Sequence, residues 1–284
     1  MTASQHMIES NGLRFRVLAA GPPSGPLFVM LHGFPEGAES WSRQIDALAG
    51  AGALAIAPDL RGYGGSDAPP SVSDYSLPVL IEDVAELVKA FGRDRAHIAG
   101  HDWGAIVAWF FAGRHPEMTE TLTALSVGHP GALAKATAND DDQRTRSRYV
   151  ALFLMEGKAE AVLAEDDHRR LRAMFDGKLP RGAVDRFARS LARPGRLTAA
   201  LNYYRANLHR SNWWAGLDPE LRITAPTTLL WGDQDPALGR VQAEGTAAHV
   251  EAEYRLVVLE GAGHWLQFER GDAVTSALAS RLAK

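Results

Sequence analysis

Asp102 is the residue of this chain whose type and surroundings point most directly to chemistry. Residues 100–104 read Gly-His-Asp-Trp-Gly and lie between an apolar run at 96–99 and an apolar stretch at 105–112 that predicts a helix. A nucleophile in this setting, followed two residues later by glycine, is typical of a nucleophile elbow between a strand and a helix. Serine there would predict acyl transfer. Aspartate is already ionised at neutral pH, and its carboxylate can displace a leaving group from saturated carbon, which favours epoxides or alkyl halides as substrates.

An acid and a histidine that could activate water follow Asp102 along the chain. His264 lies in a glycine-rich loop after the last predicted strand, and Asp235 lies in the loop after the preceding one. A carboxylate in that place can orient a histidine and stabilise its cationic form, with Asp233 as the alternative acid. The order nucleophile, acid, histidine is the order expected for an elbow of this kind. His101 is the competing histidine, but its side chain is expected to point away from the nucleophile.

A glycine-containing turn after an early strand predicts an oxyanion hole. Residues 32–36 read His-Gly-Phe-Pro-Glu and follow the predicted strand at 27–31. Backbone N–H groups at the carboxyl end of a parallel strand can face a ligand. We therefore expect the N–H groups of Phe34 and Trp103 to stabilise an oxyanion, with an ordinary tight turn as the alternative for residues 32–36.

Two tyrosines in the middle of the chain could serve as acids. Opening an epoxide turns its ring oxygen into an alkoxide, and a phenol can polarise that oxygen and give up its proton. Tyr149 and Tyr204 are the candidates. Taken without any family resemblance, they are better explained as amphipathic side chains that bury their rings under the cap.

The elements that position these residues alternate between short apolar runs and amphipathic segments. Strands are predicted at 13–19, 27–31, 54–57, 96–99, 122–127, 227–231 and 254–259, and helices at 40–49, 79–91, 105–112 and 273–282. Such alternation predicts an α/β fold with a mostly parallel sheet covered by helices on both faces. Residues 130–222 differ, because they contain no convincing strand and carry helical spacing at 149–163 and 183–207. We therefore expect a core domain formed by 1–129 and 223–284, with 130–222 inserted as a helical cap.

Composition excludes several classes of protein. The 284 residues carry a formal net charge of −4, which provides no electrostatic reason to bind nucleic acid. There is no cysteine, so disulfides and thiolate metal sites are excluded. No stretch reaches the roughly 20 apolar residues that span a membrane, and residues 1–11 lack the features of a secretory signal. These observations predict a cytoplasmic protein.

Together these motifs resemble the α/β-hydrolase superfamily, and within it the soluble-type epoxide hydrolases that use an aspartate nucleophile. The resemblance covers nearly the whole chain. It rests on residues 32–36, on Arg-Gly-Tyr-Gly-Gly-Ser at 61–66, on the elbow at 100–104 and on Gly-His-Trp at 263–265. Asn-Tyr-Tyr-Arg at 202–205 resembles the cap segment that bears the second catalytic tyrosine.

The resemblance implies a catalytic set of Asp102, His264, Asp235, Tyr149 and Tyr204, with Tyr203 as the alternative if the register is shifted by one. It implies a small apolar epoxide and water as partners, no cofactor and no metal, and it leaves the oligomeric state open, with a homodimer as one option. The predicted pocket residues share proximity to these motifs; they are His32, Pro35, His129, Tyr203 and Trp265. Trp109, Trp213 and Trp214 add to the expectation of an apolar pocket.

Two families of dehalogenases that use the same aspartate are alternative interpretations of these motifs. Haloalkane dehalogenases share the aspartate and Trp103 but usually carry asparagine at the position of Phe34. Fluoroacetate dehalogenases place arginines at the positions of Trp103 and Ile106. The residues at these positions therefore disfavour both dehalogenase interpretations. A member of the superfamily that binds a small ligand without turnover is the remaining alternative.

Overall fold

The computed structural model describes residues 3–175, 177–208 and 220–282. The strands are β1 (Ser4–Ser10), β2 (Leu13–Ala20), β3 (Leu27–Leu31), β4 (Leu54–Pro58), β5 (Ala96–His101), β6 (Thr119–Leu125), β7 (Thr227–Gly232) and β8 (Tyr254–Leu259). They form one sheet in the order β1-β2-β4-β3-β5-β6-β7-β8. β2 runs antiparallel to β1 and β4, and every neighbouring pair from β4 to β8 is parallel. The predicted α/β class with a mostly parallel sheet is confirmed.

Helices cover both faces of this sheet. The helices of the core are α1 (Ser42–Gly50), α2 (Leu77–Ala90), α3 (Trp103–Arg114), α10 (Arg240–Gly245), α11 (Leu266–Glu269) and α12 (Gly271–Ala279). Those between β6 and β7 are α4 (Pro130–Asn139), α5 (Asp141–Arg146), α6 (Tyr149–Phe153), α7 (Lys158–Met174), α8 (Arg181–Leu191) and α9 (Arg196–Asn207).

The central strand β3 explains why both faces must be covered. All five of its residues are buried, and their side chains alternate between the two faces because the side-chain period of a strand is two. Phe28 and Met30 pack with buried residues of α1 and α12, whereas Val29 and Leu31 pack with those of α2 and α3. A parallel strand in such a position reads as a continuous apolar run, which is why the sequence predicted it within a residue.

Most predicted elements are present, and the differences have local causes. β1 was not predicted, because it is an exposed edge strand without a regular apolar pattern and depends on pairing with β2. The helix predicted over 183–207 is two helices, α8 and α9, separated by Pro194 and by Gly195, whose φ of +76° is incompatible with a continuing helix. The helix predicted over 149–163 is likewise divided between α6 and α7. In the described part of the chain, no helix combines the length and apolarity needed to cross a membrane.

Candidate active site

Asp102 lies at a sharp turn where β5 ends and α3 begins. Its backbone has φ +52° and ψ −121°, a conformation that is costly for a residue with a side chain and is typical of functional sites. The turn also brings backbones unusually close together. A Cβ atom on Gly104 would lie 2.1 Å from the carbonyl oxygen of Leu31, and one on Gly100 would lie 2.2 Å from that of Gly104. Glycine is therefore required on both sides of Asp102, as the elbow motif predicted.

The loops after β7 and β8 bring an acid and a histidine to the same end of the sheet as Asp102. His264 Nε2 lies 3.5 Å from Asp102 Oδ2, and His264 Nδ1 lies 2.8 Å from Asp235 Oδ2. The other oxygen of Asp235 accepts hydrogen bonds from the backbone N–H groups of Ala237 and Leu238. These bonds hold the carboxylate in place beside the imidazole.

The alternatives left open by the sequence lie elsewhere. Asp233 accepts a hydrogen bond from the N–H of Gly261 and does not contact His264. His101 points away from the nucleophile, as expected. Its Nδ1 lies 2.8 Å from a Glu36 carboxylate oxygen and its Nε2 lies 2.8 Å from the carbonyl oxygen of His264. His101 thus contacts the backbone of His264 and packs against its ring, with centroids 4.7 Å apart, and its own nitrogens are engaged away from Asp102.

The charges of Asp102, Asp235 and His264 stabilise one another. Burial by itself would lower the pKa of His264, but the charge of Asp235 and the hydrogen bonds to both carboxylates hold that pKa well above its usual value. Burial by itself would raise the pKa of Asp102, but the hydrogen bond and charge of His264 hold it below its usual value. These pKa shifts favour an ionised Asp102 next to a cationic His264.

A backbone donor faces the nucleophile from the turn after β3. The N–H of Phe34 donates to Asp102 Oδ1 at 2.8 Å. Gly33 in the same turn packs so closely that a Cβ atom there would lie 2.4 Å from Asp102 Cβ. The ring of Trp103 packs edge-on against Tyr204, with centroids 5.0 Å apart. One predicted donor to an oxyanion thus contacts the carboxylate directly.

Tyr149 and Tyr204 come from α6 and α9 and face Asp102 across a cavity. Their ring centroids lie 6.3 Å apart. Burial raises the pKa of both phenols far above its usual value, and the negative charge of Asp102 adds to this effect. Both phenols therefore stay protonated at physiological pH and can donate hydrogen bonds into the cavity.

The cavity beside Asp102 has a volume of about 390 Å³. The lining residues are mostly apolar; they are Phe34, Pro35, Asp102, Arg146, Tyr149, Phe153, Ala173, Met174, Tyr204, Pro236, Ala237, His264 and Trp265. Pro35 and Trp265 line it as predicted. Arg146, Phe153 and Met174 were missed, because they belong to no motif and only the packing of the helices brings them to the cavity.

Three residues predicted for the pocket lie outside this cavity. His32 is buried behind the site, where its Nε2 accepts a hydrogen bond from the N–H of Leu60. His129 begins α4, where its Nδ1 accepts the N–H of Gly131. Tyr203 turns to the core and donates its hydroxyl to the carbonyl oxygen of Arg61 at 2.9 Å. None of the three lines the cavity, and each has at least one polar atom bound to neighbouring backbone.

The tryptophans expected to enrich the pocket do not line it in the described residues. Trp109 is fully buried in α3 and donates its indole N–H to the carbonyl oxygen of Val127. Trp213 and Trp214 lie outside the residues that the structure describes. The apolar wall of the cavity is formed by other aromatic and aliphatic side chains.

A mostly parallel eight-stranded sheet, an aspartate at the elbow after β5, and an acid and a histidine after β7 and β8 form the arrangement of an α/β hydrolase. In agreement, the family model described as alpha/beta hydrolase fold matches residues 26–271.

Comparison with individual proteins narrows the family. The chain is 35% identical to epoxide hydrolase A of Mycobacterium tuberculosis, over 97% of this chain and 96% of that protein. It is 33% identical to epoxide hydrolase 3 of Xenopus tropicalis, over 98% of this chain and 78% of that protein. The crystal structure of epoxide hydrolase A from Mycobacterium thermoresistibile is similar with a TM-score of 0.87 at 34% identity, over 99% of this chain and 98% of that chain. The chain therefore belongs to the epoxide hydrolases of the α/β-hydrolase fold, which are hydrolases acting on ether bonds.

Proposed function

We propose that this enzyme converts a small apolar epoxide to a vicinal diol through a covalent ester on Asp102. The observation that carries the proposal is that Asp102, His264 and the two phenols Tyr149 and Tyr204 all line one apolar cavity. A carboxylate nucleophile, a base for water and two donors for an oxygen are the groups that two-step epoxide hydrolysis requires.

In the first step, a carboxylate oxygen of Asp102 attacks one carbon of the epoxide and the bond from that carbon to the ring oxygen breaks. Tyr149 and Tyr204 donate hydrogen bonds to the ring oxygen as negative charge develops there, and one of them transfers its proton. Because both hydroxyls are held in a water-poor cavity, their hydrogen bonds stabilise this charge more strongly than water would. The products are a hydroxyalkyl ester of Asp102 and a phenolate, and the phenolate regains a proton by way of solvent from the His264 imidazolium, which no longer faces a charged Asp102.

In the second step, water attacks the carbonyl carbon of the ester. His264 removes a proton from this water, and Asp235 stabilises the imidazolium that forms. The N–H groups of Phe34 and Trp103 stabilise the oxyanion of the tetrahedral intermediate. The 2.8 Å contact from the Phe34 N–H to Asp102 Oδ1 supports this role for Phe34. The intermediate collapses, the departing alkoxide takes the proton of the new carboxyl group, the diol leaves, and Asp102 is regenerated as a carboxylate beside the His264 imidazolium.

The arrangement of the chain supports a division into two parts. We assign residues 1–129 and 223–284 to an α/β core and residues 130–222 to a helical cap that supplies both phenols. The described residues of 130–222 contain the helices α4 to α9 and no strand. Ile223 forms a bridge with Val250 where the chain returns to the sheet. We retain the cytoplasm as the proposed compartment and a homodimer as one option for the assembly, which cell fractionation and size-exclusion chromatography test.

Single-turnover hydrolysis of an epoxide in oxygen-18 water tests the covalent step. The first diol released should carry oxygen from Asp102 and no label from solvent, while the label enters Asp102. Direct attack of water on the epoxide would place the label in the first diol and would contradict the proposal.

Replacing the base provides an independent test. His264→Gln should form the ester and hydrolyse it very slowly, so that intact-protein mass spectrometry detects a mass increase equal to the substrate. Tyr203→Phe is the matched control, because Tyr203 does not line the cavity, and it should accumulate no ester. Normal turnover by His264→Gln would show that another group activates water. Halide release without any reaction of epoxides would instead favour a dehalogenase.

A further inference from the structure

Two spaces of very different size meet at Asp102. The cavity of about 390 Å³ described above is here called the wide lobe. A second space, the narrow lobe, has a volume of about 10 Å³. Asp102, Tyr149 and Tyr204 line both lobes, so the groups proposed to attack and protonate the epoxide lie at the junction. The other walls of the narrow lobe include Trp103, Ile106, Val127, Leu133 and Leu238.

The narrow lobe is too small for a bulky substituent. A space of about 10–15 Å³ holds a single water molecule, whereas an apolar cavity of about 150 Å³ is needed to hold a benzene ring. The wide lobe exceeds the second value and the narrow lobe only approaches the first. A phenyl or long alkyl group therefore fits in the wide lobe and not in the narrow lobe.

The walls of the narrow lobe belong to the packed interior. Ile106, Val127, Leu133 and Leu238 are each at most 4% exposed and lie in one continuous apolar cluster with the core helices. They come from α3, the segment after β6, α4 and the loop after β7 that carries Asp235, here called the acid loop. Four separate segments would have to move together to enlarge this space, and close-packed interiors resist such movement. The wide lobe differs, since Met174 in its wall is only partly buried.

We propose that this enzyme selects epoxides whose bulky substituent lies on one ring carbon only, that is, terminal epoxides with a single large apolar group. This inference rests on the proposed function, because it requires the ring to lie between Asp102 and the two phenols. In that position a terminal epoxide places its substituent in the wide lobe and only hydrogens against the narrow lobe. A trans-1,2-disubstituted epoxide points its two groups to opposite sides of the ring and would need both lobes.

The substrate test compares styrene oxide with trans-β-methylstyrene oxide and trans-stilbene oxide, which add a methyl and a phenyl group on the second carbon. We expect kcat/KM for trans-stilbene oxide to be at least about 100-fold below that for styrene oxide, since a single surplus methylene in a closed pocket costs about 10- to 200-fold. The methyl compound should fall between them. Comparable values for styrene oxide and trans-stilbene oxide would overturn the inference while leaving the proposed function intact. If no epoxide reacts and no ester forms on Asp102, the proposed function fails, and the inference fails with it.

Variants that enlarge one lobe at a time test whether the narrow lobe limits the choice of substrate. Leu133→Ala and Leu238→Ala each remove three carbons from the narrow lobe, and Met174→Ala is the matched control that enlarges the wide lobe. We expect each narrow-lobe variant to raise kcat/KM for trans-β-methylstyrene oxide relative to styrene oxide by about tenfold or more, because the space of three lost carbons accommodates a methyl group. In Met174→Ala this ratio should stay as in the unmodified enzyme. Turnover of styrene oxide reports that each variant is folded. An unchanged ratio in folded narrow-lobe variants, or a rise of the same size in Met174→Ala, would overturn the inference.

Discussion

At the scale of single residues, adjacent tyrosines of one helix occupy different surroundings. Tyr204 lines the cavity beside Asp102, whereas Tyr203 donates its hydroxyl to the backbone of Arg61 on the core side of α9. Consecutive residues of a helix point about 100° apart, so the packing of α9 decides which of the two phenols meets the substrate. In the proposed mechanism Tyr204, and not Tyr203, can protonate the epoxide oxygen.

Removing a phenol hydroxyl should therefore slow the first chemical step. We expect Tyr149→Phe or Tyr204→Phe to lower the rate of ester formation by about 10²-fold, because loss of a positioned general acid typically costs that much. Stopped-flow kinetics with a single turnover of styrene oxide measures this rate. Tyr203→Phe removes the same atom from the neighbouring residue and should leave the rate of ester formation nearly unchanged. A larger loss in Tyr203→Phe than in Tyr204→Phe would contradict the assignment.

His264 must pass from a cationic to a neutral imidazole during the proposed cycle. In the free enzyme, burial lowers its pKa, but Asp235 and Asp102 together raise that pKa well above its usual value. A cationic imidazole cannot remove a proton from water. Esterification neutralises Asp102 and so removes one of the two carboxylates that raise the pKa. In the proposed cycle, the first step therefore favours the neutral imidazole of His264, which can accept a proton from water in the second step.

This reasoning predicts a lower pKa for His264 when Asp102 carries no charge. In Asp102→Ala, NMR titration of the His264 ring should report a pKa below that of the unmodified enzyme. Because the neutral imidazole is the base, hydrolysis of the ester should accelerate as pH rises through the pKa of the ester form. Tyr149→Phe keeps both carboxylates and should retain the high pKa. An equally high pKa in Asp102→Ala would mean that Asp235 alone determines it.

At the scale of elements, the short helix α5 joins the region that carries the phenols to the loop that carries the acid. Gln143 is buried, and its side chain accepts the N–H of Gly239 at 2.7 Å and donates to the carbonyl oxygen of Ala237 at 2.9 Å. The guanidinium of Arg146 donates to the carbonyl oxygen of Asp235. α5 thus holds the acid loop through three backbone groups.

Loss of the Gln143 amide should destabilise this connection. Gln143→Leu keeps the size of the side chain but leaves the buried N–H of Gly239 and the partly buried carbonyl of Ala237 without this partner, which should lower the free energy of unfolding by about 1–3 kcal/mol. Chemical denaturation measures this change. We also expect ester hydrolysis to slow more than ester formation, because Asp235 lies in the same loop. Asn139→Ala, an amide replaced on the exposed end of α4, should change stability by no more than about 0.5 kcal/mol. Equal effects of the two substitutions would argue against the role of α5.

The elements also differ in how well their sequences predicted them. Buried parallel strands such as β3 and β4 were predicted to within one or two residues, because both faces are apolar and the runs are short. β1 was missed because an exposed edge strand carries little apolar signal and owes its structure to its neighbour. Helix breaks after α6 and α8 were missed because apolar spacing continued across them. The position of Gly195, with positive φ, was the available signal.

At the scale of the whole molecule, a buried ion pair connects the sheet, a core helix and the helices between β6 and β7. The guanidinium of Arg61 donates to both oxygens of Asp83 in α2, and both side chains are at most 5% exposed. The carbonyl oxygen of Arg61 accepts the hydroxyl of Tyr203 from α9. Arg61, in the loop after β4, therefore contacts both α2 and α9.

Breaking this pair should destabilise the protein as a whole. Asp83→Ala leaves the charge of Arg61 buried without its carboxylate, and we expect a loss of about 3–5 kcal/mol in the free energy of unfolding. Thermal and chemical unfolding measure the loss. Glu86→Ala removes a carboxylate from an exposed pair on the same helix and should leave the unfolding temperature nearly unchanged. A small effect of Asp83→Ala would mean that solvent reaches Arg61.

The sequence by itself determined the fold class, the elbow at Asp102 and the order of nucleophile, acid and histidine. These features are local, since short spacings of apolar residues, glycines and polar residues specify a strand, a turn or a loop. The tertiary structure decided which of Asp233 and Asp235 contacts His264, which tyrosine of α9 lines the cavity, and that His32 and His129 lie outside it. It alone decided that two spaces of very different size are lined by Asp102. Such properties depend on how elements far apart in the chain pack against one another, and packing at that range leaves no periodic pattern in the sequence.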